Sequence, residues 1–204
     1  MSKFNAAFWK WFGASKVVDA EGKPLVVYHG TPRDFSSFQL SSIGRFGPGI
    51  YLTDDPKSAS EYAVAHTASA KRGGHSVAAS VMPLYVRVQR PFIEGEMGDF
   101  WTRFGGTTDA EVVKTMLRNG YDGIIIRNSD GSSDVIVFDP TQIKSATGND
   151  GTWDADDPDI RSNPATEISE LRAGVRRAKA AGDHAAARGL QEEIEKIEDH
   201  FGLS

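Results

Sequence analysis

Three short stretches of the 204-residue chain combine residue types that can do chemistry. Tyr28-His29-Gly30-Thr31 sets an imidazole, a glycine and a hydroxyl at the end of an apolar run. Gly49-Ile50-Tyr51 is followed, eleven positions after Tyr51, by a second aromatic, Tyr62. Asp134 opens the run Asp134-Val135-Ile136-Val137-Phe138-Asp139-Pro140, with Asp130 and Asp139 as neighbouring carboxylates. Glycine lets backbone come close to a ligand. An aromatic face suits a cation, and a carboxylate in a dry site stabilises positive charge that develops in a reaction. Taken singly, each feature also has a plainer reading. His29 could be a hydrogen-bonded core histidine, Tyr51 and Tyr62 core aromatics, and Asp130 and Asp139 turn residues.

Several other chemistries drop out. The absence of cysteine removes disulfides, thiol nucleophiles and Cys-ligated zinc. Histidines 66, 75, 184 and 200 show no metal spacing, and the Asp-rich stretch 150–159 lacks the spacing of a calcium loop. Gly44, Gly47 and Gly49 precede a strand rather than open a helix, so they are no dinucleotide fingerprint. Arg33 and Arg45 could reach a pyrophosphate or simply face solvent. The net charge of −5 is concentrated between residues 130 and 160, where eight aspartates meet one lysine, Lys144. Residues 1–129 are only mildly basic, which disfavours a dedicated nucleic-acid binder. No apolar run approaches a membrane span. The start, MSKFNAAFWKWFGASK, lacks the apolar stretch of a signal peptide, so the cytoplasm is the expected compartment.

The elements that must position these residues follow from pattern. Residues 24–29 read as a strand with Leu25, Val27 and His29 on one face, ending in a turn at Gly30-Thr31-Pro32. A glycine loop then leads into a strand at 50–52. Asp55 and Pro56 start a helix that runs to about Ala70, followed by a mobile loop from Lys71 to His75. Residues 81–88 read as a strand, with Pro83 favouring its start or an edge. Thr108 and Glu111 form a capping-box pattern ahead of a helix closed by Asn119-Gly120. Strands at 121–127 and 134–138 follow, the second with Asp134, Ile136 and Phe138 on one face. Residues 147–164 are expected to be extended or loosely packed, the Asp-rich part a solvated connector. Ile168, Leu171, Val175 and Ala178, then Leu190, Ile194, Ile197 and Phe201, mark two helical stripes broken at Ala181-Gly182-Asp183. Those stripes are expected to pack on the body or on a partner. Trp9 and Trp11 are expected in the core.

The order His-Gly-Thr, then Gly-Ile-Tyr with a tyrosine eleven on, then an acidic residue opening a strand, resembles the His-Tyr-Glu class of ADP-ribosyltransferases, the diphtheria-toxin and PARP-like class. The stretches WFGASKVVDAEGKPLVVYHGT, GIYLTDD, VFDPTQIKSA and GNDGTWDADDPDIR are similar to the ADP-ribosyltransferase domains of phage and mobile-element polyvalent proteins. The resemblance covers about residues 4–161. It implies an α+β fold with a split, mixed β-sheet core and flanking helices, as a catalytic domain over 1–162, followed by a helical hairpin tail over 163–204. It implies NAD as substrate, with no metal. His29 would bond ribose hydroxyls, Gly30 would offer backbone groups to the nicotinamide carboxamide, and Thr31 would sit near the adenosine half. Tyr51 would shape the pocket and Tyr62 would stack on nicotinamide. Arg33 joins the binding set, and His29, Tyr51 and Asp134 form the catalytic one. Asp134 stands where the family usually has glutamate. The implied reaction is mono-ADP-ribosylation of a macromolecule, with a bacterial host protein expected ahead of a nucleic acid. NAD hydrolysis, or NAD or ADP-ribose binding without turnover, are the rival readings. Residues 165–201 would serve self-association or partner docking. A fainter likeness of YHGT to RNA 2′-phosphotransferases lacks their additional arginine-bearing domain.

Overall fold

The computed structural model describes residues 4–33, 35–42, 44–72, 79–94, 100, 104, 108–149, 153–161 and 164–201. The chain divides into two compact units, one of residues 1–149 with 153–161, the other of residues 150–152 with 162–204.

The first unit is built on a mixed sheet of seven strands among the described residues. They are β1 (Val27–Thr31), β2 (Ile50–Thr53), β3 (Ser80–Val86), β4 (Pro91–Glu94), β5 (Gly123–Arg127), β6 (Ser133–Val137) and β7 (Ile143–Ser145), in the order β4-β5-β6-β2-β1-β3-β7. The β4–β5 pair is parallel and all others are antiparallel. The sheet is split in its middle. β1 and β2 share a single register pair, Tyr28↔Thr53, whereas β1 pairs with β3 over five residues and β2 with β6 over four.

Strand alternation sorts the core onto two faces. Val27, Ile50, Leu52, Leu84, Val135 and Ile143 share one apolar cluster, closed by Val17, Phe38 and Ile160 from loops. Ile124, Ile126 and Ile136 point to the other face, against Val112, Val113 and Met116 of helix α3 (Asp109–Arg118). A third cluster joins Phe8, Trp11 and Phe12 of α1 (Ala6–Phe12) to Tyr85 and Trp153. Helix α2 (Pro56–Arg72) presents the buried small residues Ala59 and Ala63 to β1, so the two backbones come close. No helix of the described residues is long and apolar enough to cross a membrane.

Several expectations need correction. β1 runs on through Gly30 and Thr31, because these pair with Val81 and Ser80 of β3, so the expected turn starts later. α2 includes Lys71 and Arg72, while Gly73, Gly74 and His75 lie outside the described residues. Pro83 sits inside β3, opposite Tyr28, but its carbonyl accepts from Ala146 just past the end of β7, so the missing N–H faces a side where the ladder stops. Thr108 is the N-cap of α3 without a side-chain cap bond, and Glu111 turns outward to Lys114 at 3.1 Å and Arg118 at 3.8 Å. Trp11 is buried, its indole N–H donating to the Thr141 carbonyl, whereas Trp9 is 49% exposed.

The acidic stretch is not a loose connector in its described part. Trp153 and Ile160 are buried anchors. Between them Lys144, fully enclosed on β7, donates to the carbonyls of Asp157 at 2.7 Å and Asp159 at 2.8 Å. Burial pushes the Lys144 ammonium below its ordinary pKa, against the pull of Asp157, Asp154 and Asp159.

The second unit is a hairpin of α4 (Pro164–Ala180) and α5 (His184–Phe201), turned at Gly182 with φ +76°. Its stripes meet each other: Ile168, Val175, Ala187 and Ile194 form one buried cluster flanked by Leu171, Ala178, Leu190 and Ile197. Arg172 and Glu198 add an ion pair at 2.8 Å. The expectation that the stripes pack on the body or on a partner is thus corrected, because each stripe covers the other.

Candidate active site

The sheet opens at β1 and β2, and a side chain spans the opening. His29 Nδ1 lies 2.9 Å from the backbone oxygen of Tyr51. A carbonyl can only accept, so Nδ1 carries the proton and Nε2 is left as an acceptor. The imidazole packs edge-on against Phe38, with ring centroids 5.0 Å apart, and more distantly against Phe35. Burial pushes its pKa below the ordinary histidine value, and the bond to Tyr51 only partly offsets this. His29 is therefore neutral at pH 7, with one fixed acceptor. That suits a ligand hydroxyl.

The two phenylalanines come from a loop that begins with a side-chain clasp. Thr31 Oγ1 donates to the Arg33 carbonyl and accepts the Arg33 N–H, both at 3.1 Å. Thr31 is itself buried, so its hydroxyl serves the turn. Arg33 is exposed and has no ion pair among the described residues. The loop is held further on by Ile160, whose N–H donates to Ser36, and by a bridge between Ser37 and Asp159. Phe35 and Phe38 were not singled out from sequence, and the 153–161 strap, though part of the family likeness, was expected to be a solvated connector. The available signals were the lone cation in an acidic stretch and two apolar anchors, Trp153 and Ile160, in polar surroundings.

Gly30 is required by packing. A Cβ there would collide with the carbonyl of Ala59 on α2. Tyr62 follows Ala59 by three residues, about one helical turn, on the helix that packs over Gly30. It is 55% exposed, so it is no core aromatic, and its ring stacks on His66 with centroids 3.9 Å apart. The helix starts as expected: the Asp55 carboxylate accepts the N–H groups of Lys57 and Ser58 at 3.0 Å each.

Tyr51 is committed to the glycine loop. Its hydroxyl donates to Gly47 at 2.7 Å and accepts from Phe46 at 3.0 Å, and a side chain at Gly44 would strike its ring. Gly47 has φ +89°, and Ser41 and Gly49 close the loop with two backbone bonds. Arg45 is exposed and lies over the Phe46 ring at 5.7 Å.

Asp134 is the N-terminal partner in the β2–β6 ladder, paired with Thr53 on one side and with Ile126 of β5 on the other. Tyr28, Thr53 and Asp134 lie in one row, so Tyr28 and Asp134 are two strand spacings, about 10 Å, apart. Tyr51 and Asp134 share a face by alternation, while His29 points to the other face beside the opening. The structure thus joins His29 directly to Tyr51 and sets Asp134 one strand beyond, without contact between imidazole and carboxylate. Asp134 is half-buried, and its carboxylate has no hydrogen bond or ion pair among the described residues. The rival carboxylates are used up. Asp130 bonds the N–H and hydroxyl of Ser132 and is held below the usual carboxylate range by them. Asp139 accepts from Thr141 in the capping box of a short 3-10 turn.

A surface concavity of about 510 Å³ lies elsewhere, lined in part by Arg87, Asp122, Phe138 and Asp139. Its carboxylates serve backbone N–H groups, Asp122 taking those of Gln89 and Arg90, so its polar groups read as structural. Among the described residues no three His, Cys, Asp or Glu are grouped to hold a metal ion.

No curated protein matches the chain. The family model for the ADP-ribosyltransferase in polyvalent proteins matches residues 19–153. That span is narrower than the resemblance read from sequence, and it contains all seven strands, α2 and the residues His29, Tyr51, Tyr62 and Asp134. With the match covering well over half its length, the chain belongs to the family of ADP-ribosyltransferases found in polyvalent proteins.

Proposed function

We propose that this ADP-ribosyltransferase takes NAD as its substrate and transfers a single ADP-ribose to a protein, releasing nicotinamide. The observation that carries the proposal is the half-buried, unpartnered carboxylate of Asp134 on a central strand. A charge so placed, without compensation from the protein, is suited to meet a cation that forms in the reaction.

In this reading the bond between the nicotinamide nitrogen and the ribose carbon breaks. Its electron pair leaves with neutral nicotinamide, and positive charge remains on the sugar, as in glycoside hydrolysis. Asp134 stabilises that charge. An acceptor side chain then forms the new bond to the ribose carbon and gives up its proton to solvent. His29 accepts a ribose hydroxyl at Nε2, the atom its tautomer leaves free. Tyr62 offers an aromatic face to the cationic nicotinamide of the ground state. Gly30 offers backbone groups to its carboxamide, and Thr31 and Arg33 border the far half of the ligand. Tyr51 acts by holding the glycine loop. Residues 1–162 form the catalytic domain, and the hairpin of 163–204 serves self-association or docking. The acceptor is a protein of a bacterial cytoplasm, reached on a phage or mobile element.

The test is nicotinamide release from NAD by the purified chain, with and without bacterial lysate, coupled to intact-mass analysis of the lysate proteins. Release that rises with lysate, together with one ADP-ribose of added mass on a protein, is expected. Release that ignores lysate would replace the transferase reading with NAD hydrolysis. NAD binding without any release would leave a binding module.

A further inference from the structure

We propose that Asp54 is a positioning residue for the Asp134 carboxylate, an inference that rests on the transferase reading above. The regular ladder between β2 and β6 ends at Thr53↔Asp134, the point where the reading needs most rigidity. Beyond it β2 turns away toward α2, which starts at Pro56, so no further β2 residue faces Ser133, which Arg127 of β5 meets on its other side. Asp54 fills that place with its own backbone and side chain. Its N–H donates to the Ser133 carbonyl at 3.0 Å, and its Oδ1 accepts the Ser133 N–H at 2.8 Å. Both backbone groups of the residue preceding Asp134 are therefore tied to one side chain and one peptide.

The corner extends to the helix that carries Tyr62. Asp55 donates its N–H to Thr53 Oγ1 at 3.2 Å, and its carboxylate caps α2 through Lys57, Ser58 and, at 2.7 Å, the Ser58 hydroxyl. Thr53, Asp54 and Asp55 thus fix the strand of the carboxylate and the start of the helix of the aromatic ring with consecutive residues. Aspartate at 134 reaches one methylene less far than glutamate, so its backbone has little slack. A displacement of about 1 Å costs on the order of 100-fold in rate.

Asp54 acts here as an acceptor, and this separates position from charge. In Asp54→Ala the Ser133 N–H loses its side-chain partner. In Asp54→Asn an amide oxygen replaces the carboxylate oxygen and the bond survives. The experiment measures kcat and KM for nicotinamide release in wild type and both variants of the full chain, with the thermal midpoint and the carboxyl ¹³C shift of Asp134. The expected result is a kcat lower by about 10- to 100-fold in Asp54→Ala with KM nearly unchanged, and recovery of most of that loss in Asp54→Asn. The Asp134 shift should move in Asp54→Ala and return in Asp54→Asn. Equal losses in the two variants would mean that charge rather than position matters and would overturn the proposal, as would an unaltered kcat in Asp54→Ala. Absence of release in wild type would defeat the transferase reading itself. The positional claim would then stand or fall on the Asp134 shift, an unmoved signal in Asp54→Ala overturning it.

Discussion

At the scale of the residue, the 2.9 Å bond from His29 to the Tyr51 carbonyl and the burial of the ring act together. The bond fixes the tautomer, and burial holds the ring neutral below its ordinary titration range. Protonation would turn Nε2 from acceptor to donor and remove the proposed contact to a ribose hydroxyl. KM for NAD should therefore stay flat as pH falls from 8 to about 6.5, the ordinary histidine value, and rise only below it. A KM that climbs with its midpoint at that ordinary value would contradict this. Stability follows the same sign. The unfolded chain binds the proton more readily, so the contribution of neutral His29 is complete above about pH 6.5 and is lost as pH drops through the depressed value. His29, Tyr62 and Asp134 could be picked out from sequence because their types recur in a fixed order. Asp54 could not, since its role depends on Ser133, 79 positions away, and on where a ladder stops. Tyr51 stood out in sequence as a candidate by its place in Gly-Ile-Tyr, but the use of its hydroxyl in the glycine loop emerges only from the fold.

The elements that carry these residues are set by close backbone approach more than by side-chain bulk. Gly30 lies under the Ala59 carbonyl, so Gly30→Ala drives a methyl into backbone that cannot rotate away. Overpacking of this kind costs about 1–3 kcal/mol, and denaturant unfolding should show that loss. Ala59→Gly should not restore it, because the obstacle is a carbonyl and not a side chain. Recovery in the double variant would refute the account. The longer elements were readable from alternation and caps: β1, β2, β5, β6 and α2 all stand within a few residues of where pattern puts them. β4 (Pro91–Glu94) and β7 (Ile143–Ser145) were missed, being too short to show a period and defined by their partners. The strap of 153–161 was missed for a related reason. Its bonds run from Lys144 to main-chain carbonyls, which any sequence supplies.

For the molecule as a whole, the division into two units makes a separable prediction. All four tryptophans, at 9, 11, 101 and 153, fall within the sequence span of the first unit and none within that of the hairpin, so their fluorescence does not report on the hairpin's own helices. Ile194 is fully buried in the hairpin. Ile194→Asp places an unpaired carboxylate there, at a cost above the roughly 2–5 kcal/mol of deleting such a side chain. Helical circular dichroism should fall while tryptophan fluorescence keeps its native spectrum. Loss of both together would show that the hairpin is not an independent unit. The two stripes of the hairpin were legible in sequence, but not that each would be the other's partner, because periodicity marks an apolar face without naming what covers it.

The most direct test of the central claim compares Asp134→Asn with Asp130→Asn and Asp139→Asn in nicotinamide release, with NAD affinity measured alongside. The account predicts a fall in kcat on the order of 100-fold or more for Asp134→Asn, little change in NAD affinity, and near wild-type turnover in the other two. Turnover undiminished in Asp134→Asn, or lost instead in Asp130→Asn or Asp139→Asn, would contradict it.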